Sequence, residues 1–156
     1  VRDATEEDIE TIRAVAEASW RQDYPAALSE DTIESGVGHW YSDAVLQMEL
    51  ANPGTIFQVV EIEEEIIGFV HANESGPGVT ILRLHVHPDH RQTTAAETLL
   101  EAIESVPGPE GPFRATVLEA NDELRAFYAD HGFEQIATDR TTIGESQYPE
   151  VVLERA

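Results

Sequence analysis

Apolar residues recur along this chain in two rhythms, one helical and one strand-like, and the switches between them mark its elements. Ile9, Ile12, Ala16 and Trp20 keep helical spacing behind Thr5-Glu6-Glu7-Asp8, which reads as a helix start with a capping threonine. Pro25 closes that stretch. A second helical region covers about Glu30 to Leu50, with a break expected near Gly36 and Gly38, and Asn52-Pro53-Gly54 forms a turn. Ile56 to Ile62 and Ile66 to Asn73 read as a hairpin across Glu63-Glu64. Gly76-Pro77-Gly78 then turns the chain into a strand from Val79 to Val86.

The second half repeats the alternation. A helix after Thr93 carries Leu99, Leu100 and Ile103 and stops before Pro107-Gly108-Pro109. Phe113 to Leu118 is a strand. Asn121 opens a helix with the stripe Leu124, Phe127, Tyr128 and His131, and Gly132 is its expected left-handed terminator. Phe133 to Thr138 and Tyr148 to Leu153 close the chain as strands. With no repeat, linker or low-complexity tract, this order predicts one mixed α/β domain over residues 1–156, built in three layers.

Composition narrows the class. A chain of 156 residues with 41% hydrophobic content can fill one core. No apolar run reaches membrane-spanning length, and the charged N-terminus is no leader sequence, so no membrane role is expected. The absence of cysteine excludes disulfides and thiolate metal sites and makes the cytoplasm the default compartment.

Charge changes the picture further. There are 31 acidic residues against nine basic ones, and all nine are arginine. Such acidity reads as disorder, as a basic partner, or as a response to solvent. Clear apolar periodicity argues against disorder, and charge spread along the whole chain argues against a docking block. The pattern resembles cytoplasmic proteins of extreme halophiles, in which multimolar salt screens self-repulsion. Without a basic patch to neutralise phosphates, no nucleic-acid partner is expected.

Candidate chemistry concentrates at Val86-His87-Pro88-Asp89-His90-Arg91, followed by Gln92-Thr93-Thr94-Ala95-Ala96. A strand runs into a tight turn and then a helix N-terminus, where backbone N–H groups lack partners and favour an anion. On the strand, alternation puts Leu82, Leu84 and Val86 on one face and Arg83, His85 and His87 on the other. The same stretch spells His85-x-His87-x-Asp89-His90, the two-zinc signature of metallo-β-lactamases. Only His131 follows it, Arg91-Gln92 stand where glycines are expected, and the chain is short for that fold, so no metal is expected.

The order of elements, the Val-x-Pro-x-x-Arg turn, and Asn121 with Phe127-Tyr128 and Gly132-Phe133 resemble the GNAT superfamily of acyl-CoA-dependent N-acetyltransferases. The resemblance spans the chain and implies a twisted mixed sheet of about six to seven strands with helices on both faces. It implies acetyl-CoA as co-substrate, held by Arg91, Gln92, Thr93, Thr94, Ala95 and Ala96 at the pyrophosphate and by the backbone of His85 and Val86 along the pantetheine arm. Tyr128 would then protonate the departing thiolate, and Asn121 would combine a helix cap with a coenzyme contact. Thr94 departs from the family glycine. Either the loop keeps φ negative there or the coenzyme site is weakened.

Two functions stay open: transfer of an acetyl group to a primary amine by direct attack in a ternary complex, and a catalytically silent GNAT-like module. Glu61, His71, His85 and Glu119 are candidates to take the amine proton. Trp20, Tyr24, Trp40 and Tyr41 are candidate walls of an acceptor pocket and equally good core residues. The acceptor is a small-molecule or peptide amine, and a homodimer is an expectation from family analogy alone.

Overall fold

Seven strands form one sheet in the order β1-β2-β3-β4-β5-β7-β6. They are β1 (Arg2–Asp3), β2 (Thr55–Ile62), β3 (Glu65–Ser75), β4 (Gly78–Val86), β5 (Phe113–Leu118), β6 (Glu134–Ile143) and β7 (Ser146–Arg155). The computed structural model describes residues 1–24, 28–91, 93–106, 110–143 and 145–155. Pro25, Gln92 and Pro107-Gly108-Pro109, all used above, lie outside the described residues.

The helices cover both faces, as expected. On one face α1 (Ile9–Asp23), α2 (Glu30–Trp40) and α3 (Asp43–Ala51) pack Ile12, Trp20, Ile33 and Leu46 against Phe57, Val59 and Phe69. On the other, α4 (Ala95–Glu104) and α5 (Asp122–Asp130) bury Leu99, Leu100, Ile103 and Tyr128 against Val70, Ile81, Leu84 and Val117. Burial of whole Leu, Ile and aromatic side chains, at roughly 1.5–3 kcal/mol each, is what holds the layers together.

Helix ends follow their signals with one correction. The α1 entry is a single tight turn (Glu6–Asp8), where the Asp8 carboxylate accepts the Thr5 N–H at 2.8 Å and Arg2 clamps the same carboxylate. Asn121 Oδ1 accepts the Leu124 N–H at 3.0 Å, and Gly132 leaves α5 with φ of +88°. The expected break at Gly36 and Gly38 is absent: α2 runs through both and ends at Trp40, and Ser42 caps α3. Gly36 serves close packing, since a Cβ there would lie 2.7 Å from the Trp20 ring.

One strand pair is incomplete. Every neighbour is antiparallel except β4 and β5, which pair in parallel only where Val79–Ile81 face Phe113–Ala115. Beyond that the two strands have no ladder, and the β4 edge from Leu82 to Val86 has no β5 partner. A bulge adds to the split. Leu82 has no β3 counterpart between the pairs Arg83–His71 and Ile81–Ala72. It shifts the alternation by one, so Val79 and Ile81 join Leu84 and Val86 in one core and Leu82 leaves the row assigned to it above.

Candidate active site

The split between β4 and β5 opens two cavities that share Leu84, His85 and Leu124. The first, of about 130 Å³, lies towards α4 and is lined by Val86, His90, Arg91, Thr93, Ala96 and Asn121 among others. The second, of about 40 Å³, lies towards α1 and α2 and brings together Trp20, Tyr24, Trp40 and Tyr41. Arg83 and Glu150 line it too. The four aromatic residues singled out in the sequence therefore form one wall. They are also core residues: the Trp20 ring meets Tyr24, Trp40 and Tyr41 edge-on at 5.3–6.4 Å.

At the first cavity the turn Pro88–His90 leads into α4. The first helical bond of α4 runs from the Thr98 N–H to the Thr94 carbonyl, so the N–H groups of Ala96 and Glu97 stand at the open helix end. The Thr93 hydroxyl donates to the His90 carbonyl at 2.6 Å and accepts the Ala95 N–H at 3.3 Å. Thr94 has φ of −88°, a value open to any residue, so this loop needs no glycine at that position. Thr93 and Thr94 are exposed, Ala95 is buried, and Gln92 lies outside the described residues.

Arg91 is already engaged. Its guanidinium meets Asp23 at 2.5 and 3.1 Å, Glu123 at 2.9 Å and the Ser19 hydroxyl at 2.9 Å, while Nε donates to the Val86 carbonyl at 3.1 Å. Burial works against this charge, and the two carboxylates more than restore it, so its pKa is raised. The arginine thus ties α1, the end of β4 and the start of α5 together at the cavity mouth. Asp23, Glu97 and Glu123 line that cavity as well, so carboxylates outnumber cations around it.

His85 is buried at the junction of the two cavities, with Nδ1 3.0 Å from the Ser19 hydroxyl. Burial pushes its pKa down to about 4; Asp23 pulls it back, while Arg83 and Arg91 add to the fall. Tyr128 is 1% exposed, packed against Phe127 and Phe133 in the α4–α5 core, and burial raises its phenol. It sits beneath the cleft rather than among the residues lining the two cavities, whereas its helix neighbours Leu124 and Phe127 do line them. Asn121 combines two bonds: its carbonyl caps α5, and its amide donates to the Tyr24 oxygen at 3.0 Å.

The other proton acceptors considered are scattered. Glu61 pairs with Arg2 near the sheet edge. His71 is buried, stacked on Phe57 and 3.3 Å from Glu49, and burial pushes its pKa down to about 3. Glu119 lines a separate hollow with Tyr148. Of the zinc-like string, His85 turns to Ser19, and the His87 ring accepts the Asp89 N–H at 3.1 Å. Among the described residues no three His, Asp or Glu side chains converge as metal ligands, and no helix is long and apolar enough to cross a membrane.

One cavity residue, Glu150, escaped the sequence reading, and Tyr24, read there only as a wall, gains a second role. Tyr24 accepts from Asn121 and so keeps its own proton to give. Glu150, opposite Leu118 on β7, is held partly out of water, which together with Asp139 raises its pKa. Neither carries a local motif; each is recruited by strand pairing or helix packing.

A split parallel strand pair, a bulged β4 and an open helix end beyond its turn define an acyl-coenzyme A transferase cleft. The chain belongs to the acetyltransferase (GNAT) domain family, whose model matches residues 2–145. It is 29% identical over 145 residues to the spermidine N(1)-acetyltransferase of Thermoplasma acidophilum, covering 89% of this chain and 90% of that protein. The crystal structure of PaiA N-acetyltransferase from Thermoplasma acidophilum in complex with coenzyme A superposes with a TM-score of 0.86, at 28% identity over 99% of this chain and 96% of that one. A GCN5-related N-acetyltransferase from Rhodopseudomonas palustris shares the fold, with a TM-score of 0.82 at 22% identity, covering 99% and 93%.

Proposed function

We propose that this N-acetyltransferase moves the acetyl group of acetyl-CoA to a small primary amine by direct attack in a ternary complex. The supporting observation is the pair of cavities meeting at Leu84, His85 and Leu124. A thioester entering along the open β4 edge would bring its carbonyl to that junction, and an amine would approach from the aromatic side. Holding both reactants there converts a bimolecular encounter into an intracomplex step.

In this reading the open end of α4 holds the pyrophosphate through the Ala96 and Glu97 N–H groups, with the Thr93–Thr94 turn shaping the approach. The pantetheine arm lies along His85 and Val86 as an added strand would. Glu150 takes one proton from the incoming ammonium, leaving a neutral amine. The nitrogen lone pair forms the C–N bond, the C–S bond breaks, and the thiolate leaves with its electron pair. Tyr128 returns a proton to sulfur, as the family resemblance implies. The second nitrogen proton leaves to solvent. Tyr24 is the other candidate acid, because it lines the acceptor cavity and its proton is unspent.

The test is steady-state kinetics at high salt with acetyl-CoA and a panel of primary amines, a polyamine included. Intersecting double-reciprocal lines support the ternary complex; parallel lines, which signal an acyl-enzyme, overturn it. Tyr128→Phe is expected to lower kcat by about 10²- to 10⁴-fold with little change in acetyl-CoA affinity. If Tyr24→Phe shows that loss and Tyr128→Phe does not, the proton comes from α1. Failure of acetyl-CoA to raise the melting temperature at native salt would instead favour a silent module.

A further inference from the structure

We infer that Arg83 recognises a carboxylate on the acceptor, so that this enzyme acetylates zwitterionic amines of the amino-acid type in preference to simple amines or polyamines. The inference rests on the acceptor-side reading of the second cavity. Arg83 lines that cavity half-buried, with its guanidinium carbon 5.3 Å from the Trp40 ring centre and 4.9 Å from that of Tyr41. Its recorded hydrogen bond is a long one, 3.5 Å to the Trp40 carbonyl.

The charge balance of the chain makes this unusual. Among the described residues every other arginine pairs with a carboxylate, apart from Arg140, which is exposed on β6. In a protein with 31 acidic residues, a half-buried arginine without an acidic partner is the exception. Two aromatic faces offset part of its desolvation but satisfy few of its five N–H donors.

One further donor lines the same cavity unspent. The Trp20 N–H is directed to the Tyr41 oxygen, and the Tyr41 hydroxyl proton is left buried without an acceptor. A buried donor without an acceptor is costly and rare, and one standing beside a guanidinium without a carboxylate points to an anion with several lone pairs. A carboxylate matches the planar fork of the guanidinium. The cavity's own carboxylate, Glu150, makes no ion pair with Arg83 and is left to meet an ammonium. One positive and one negative group that line the same aromatic cavity without pairing describe the complement of a zwitterion. A polyamine would place a second cation against Arg83.

Matched acceptors test this: phenylalanine against phenethylamine, and leucine against isoamylamine, with acetyl-CoA saturating. The wild type is expected to favour the amino acid in kcat/KM, and Arg83→Gln to shrink that preference by roughly 10- to 100-fold, mostly through KM. Arg83→Lys, which keeps the charge without the fork, should recover part of it. The ratio is taken within one variant, so a loss of folded protein cancels. Equal or better use of the decarboxylated amines by the wild type overturns the assignment and leaves the transferase reading intact. So does an equal loss on both amines in Arg83→Gln. If no amine is acetylated yet calorimetry shows the amino acid binding to the coenzyme-loaded protein, with binding lost in Arg83→Gln, the transferase reading fails and the carboxylate site stands.

Discussion

Burial rather than sequence neighbourhood sets the behaviour of the site's histidine. His85 lies beside Asp89 and two other histidines in the chain, yet in the fold it faces Ser19 and is held neutral. Its folded pKa of about 4 is below the ordinary unfolded value near 6.5. The neutral ring therefore contributes fully above pH 6.5, and stability falls as pH drops from there towards 4, because only the unfolded chain gains the proton. By pH 5 the loss from His85 is about 2 kcal/mol. His85→Asn, which keeps an acceptor for Ser19, should flatten the slope of unfolding free energy between pH 6.5 and 5 by nearly one proton. His71, with a pKa of about 3, supplies a similar slope that the variant retains. An unchanged slope in denaturant titrations of His85→Asn would show that His85 does not titrate on unfolding. At this scale the sequence disclosed the residues with strong local rules. Asn121 and Gly132 sit where capping chemistry puts them. It could not disclose Arg83 or Glu150 as cavity partners, since their roles arise from contacts between elements far apart in the chain.

Elements were legible wherever one face is buried and the period is unbroken, and misread where a glycine or a bulge serves packing instead of punctuation. Strands β2 to β5 fall within two residues of their predicted bounds, while the two-residue β1 is too short to leave a period. Gly36 and Gly38 look alike in sequence and differ in space. A Cβ at Gly36 would press on the Trp20 ring at 2.7 Å and on Ile143 at 2.8 Å, whereas one at Gly38 meets nothing within 4 Å. Ala has the better helix propensity by about 1 kcal/mol at either position. Gly38→Ala should therefore stabilise the protein by up to that amount, and Gly36→Ala should destabilise it by roughly 1–3 kcal/mol through overpacking. Chemical denaturation of the two variants reads the difference directly. Equal gains would mean that α2 can move away from Trp20 at no cost, and the acceptor wall would then be softer than its edge-on aromatic packing implies. The Leu82 bulge is the other case. Period-two alternation carried the predicted row straight through it, and only the pairing with β3 reveals the extra residue that takes Leu82 out of the row of Leu84 and Val86.

At the scale of the whole molecule, charge is the dominant feature and the fold around the donor cavity inherits it. A formal net charge of −22 on 156 residues should make stability depend on screening. The Debye length is about 10 Å at 0.1 M salt and about 3 Å at 1 M, so dilution restores repulsion among the carboxylates. A lower melting temperature at about 0.1 M chloride than at about 3 M is expected, and equal values would return the acidity to being a statement about a basic partner. In the proposed mode of binding the coenzyme phosphates would enter a cavity where Asp23, Glu97 and Glu123 surround an arginine already paired to two of them. Sites that grip phosphate with free basic side chains lose affinity as salt rises, through counterion release. In that mode the long-range field would oppose the ligand, and its grip would fall to helix N–H groups whose reach is short and poorly screened. Acetyl-CoA binding should therefore tighten with added salt. Calorimetric titration across the range in which the protein stays folded would show it as a dissociation constant that falls with chloride concentration. A constant that rises instead would mean that Arg91 exchanges its carboxylates for phosphate on binding and acts as the coenzyme's counter-charge.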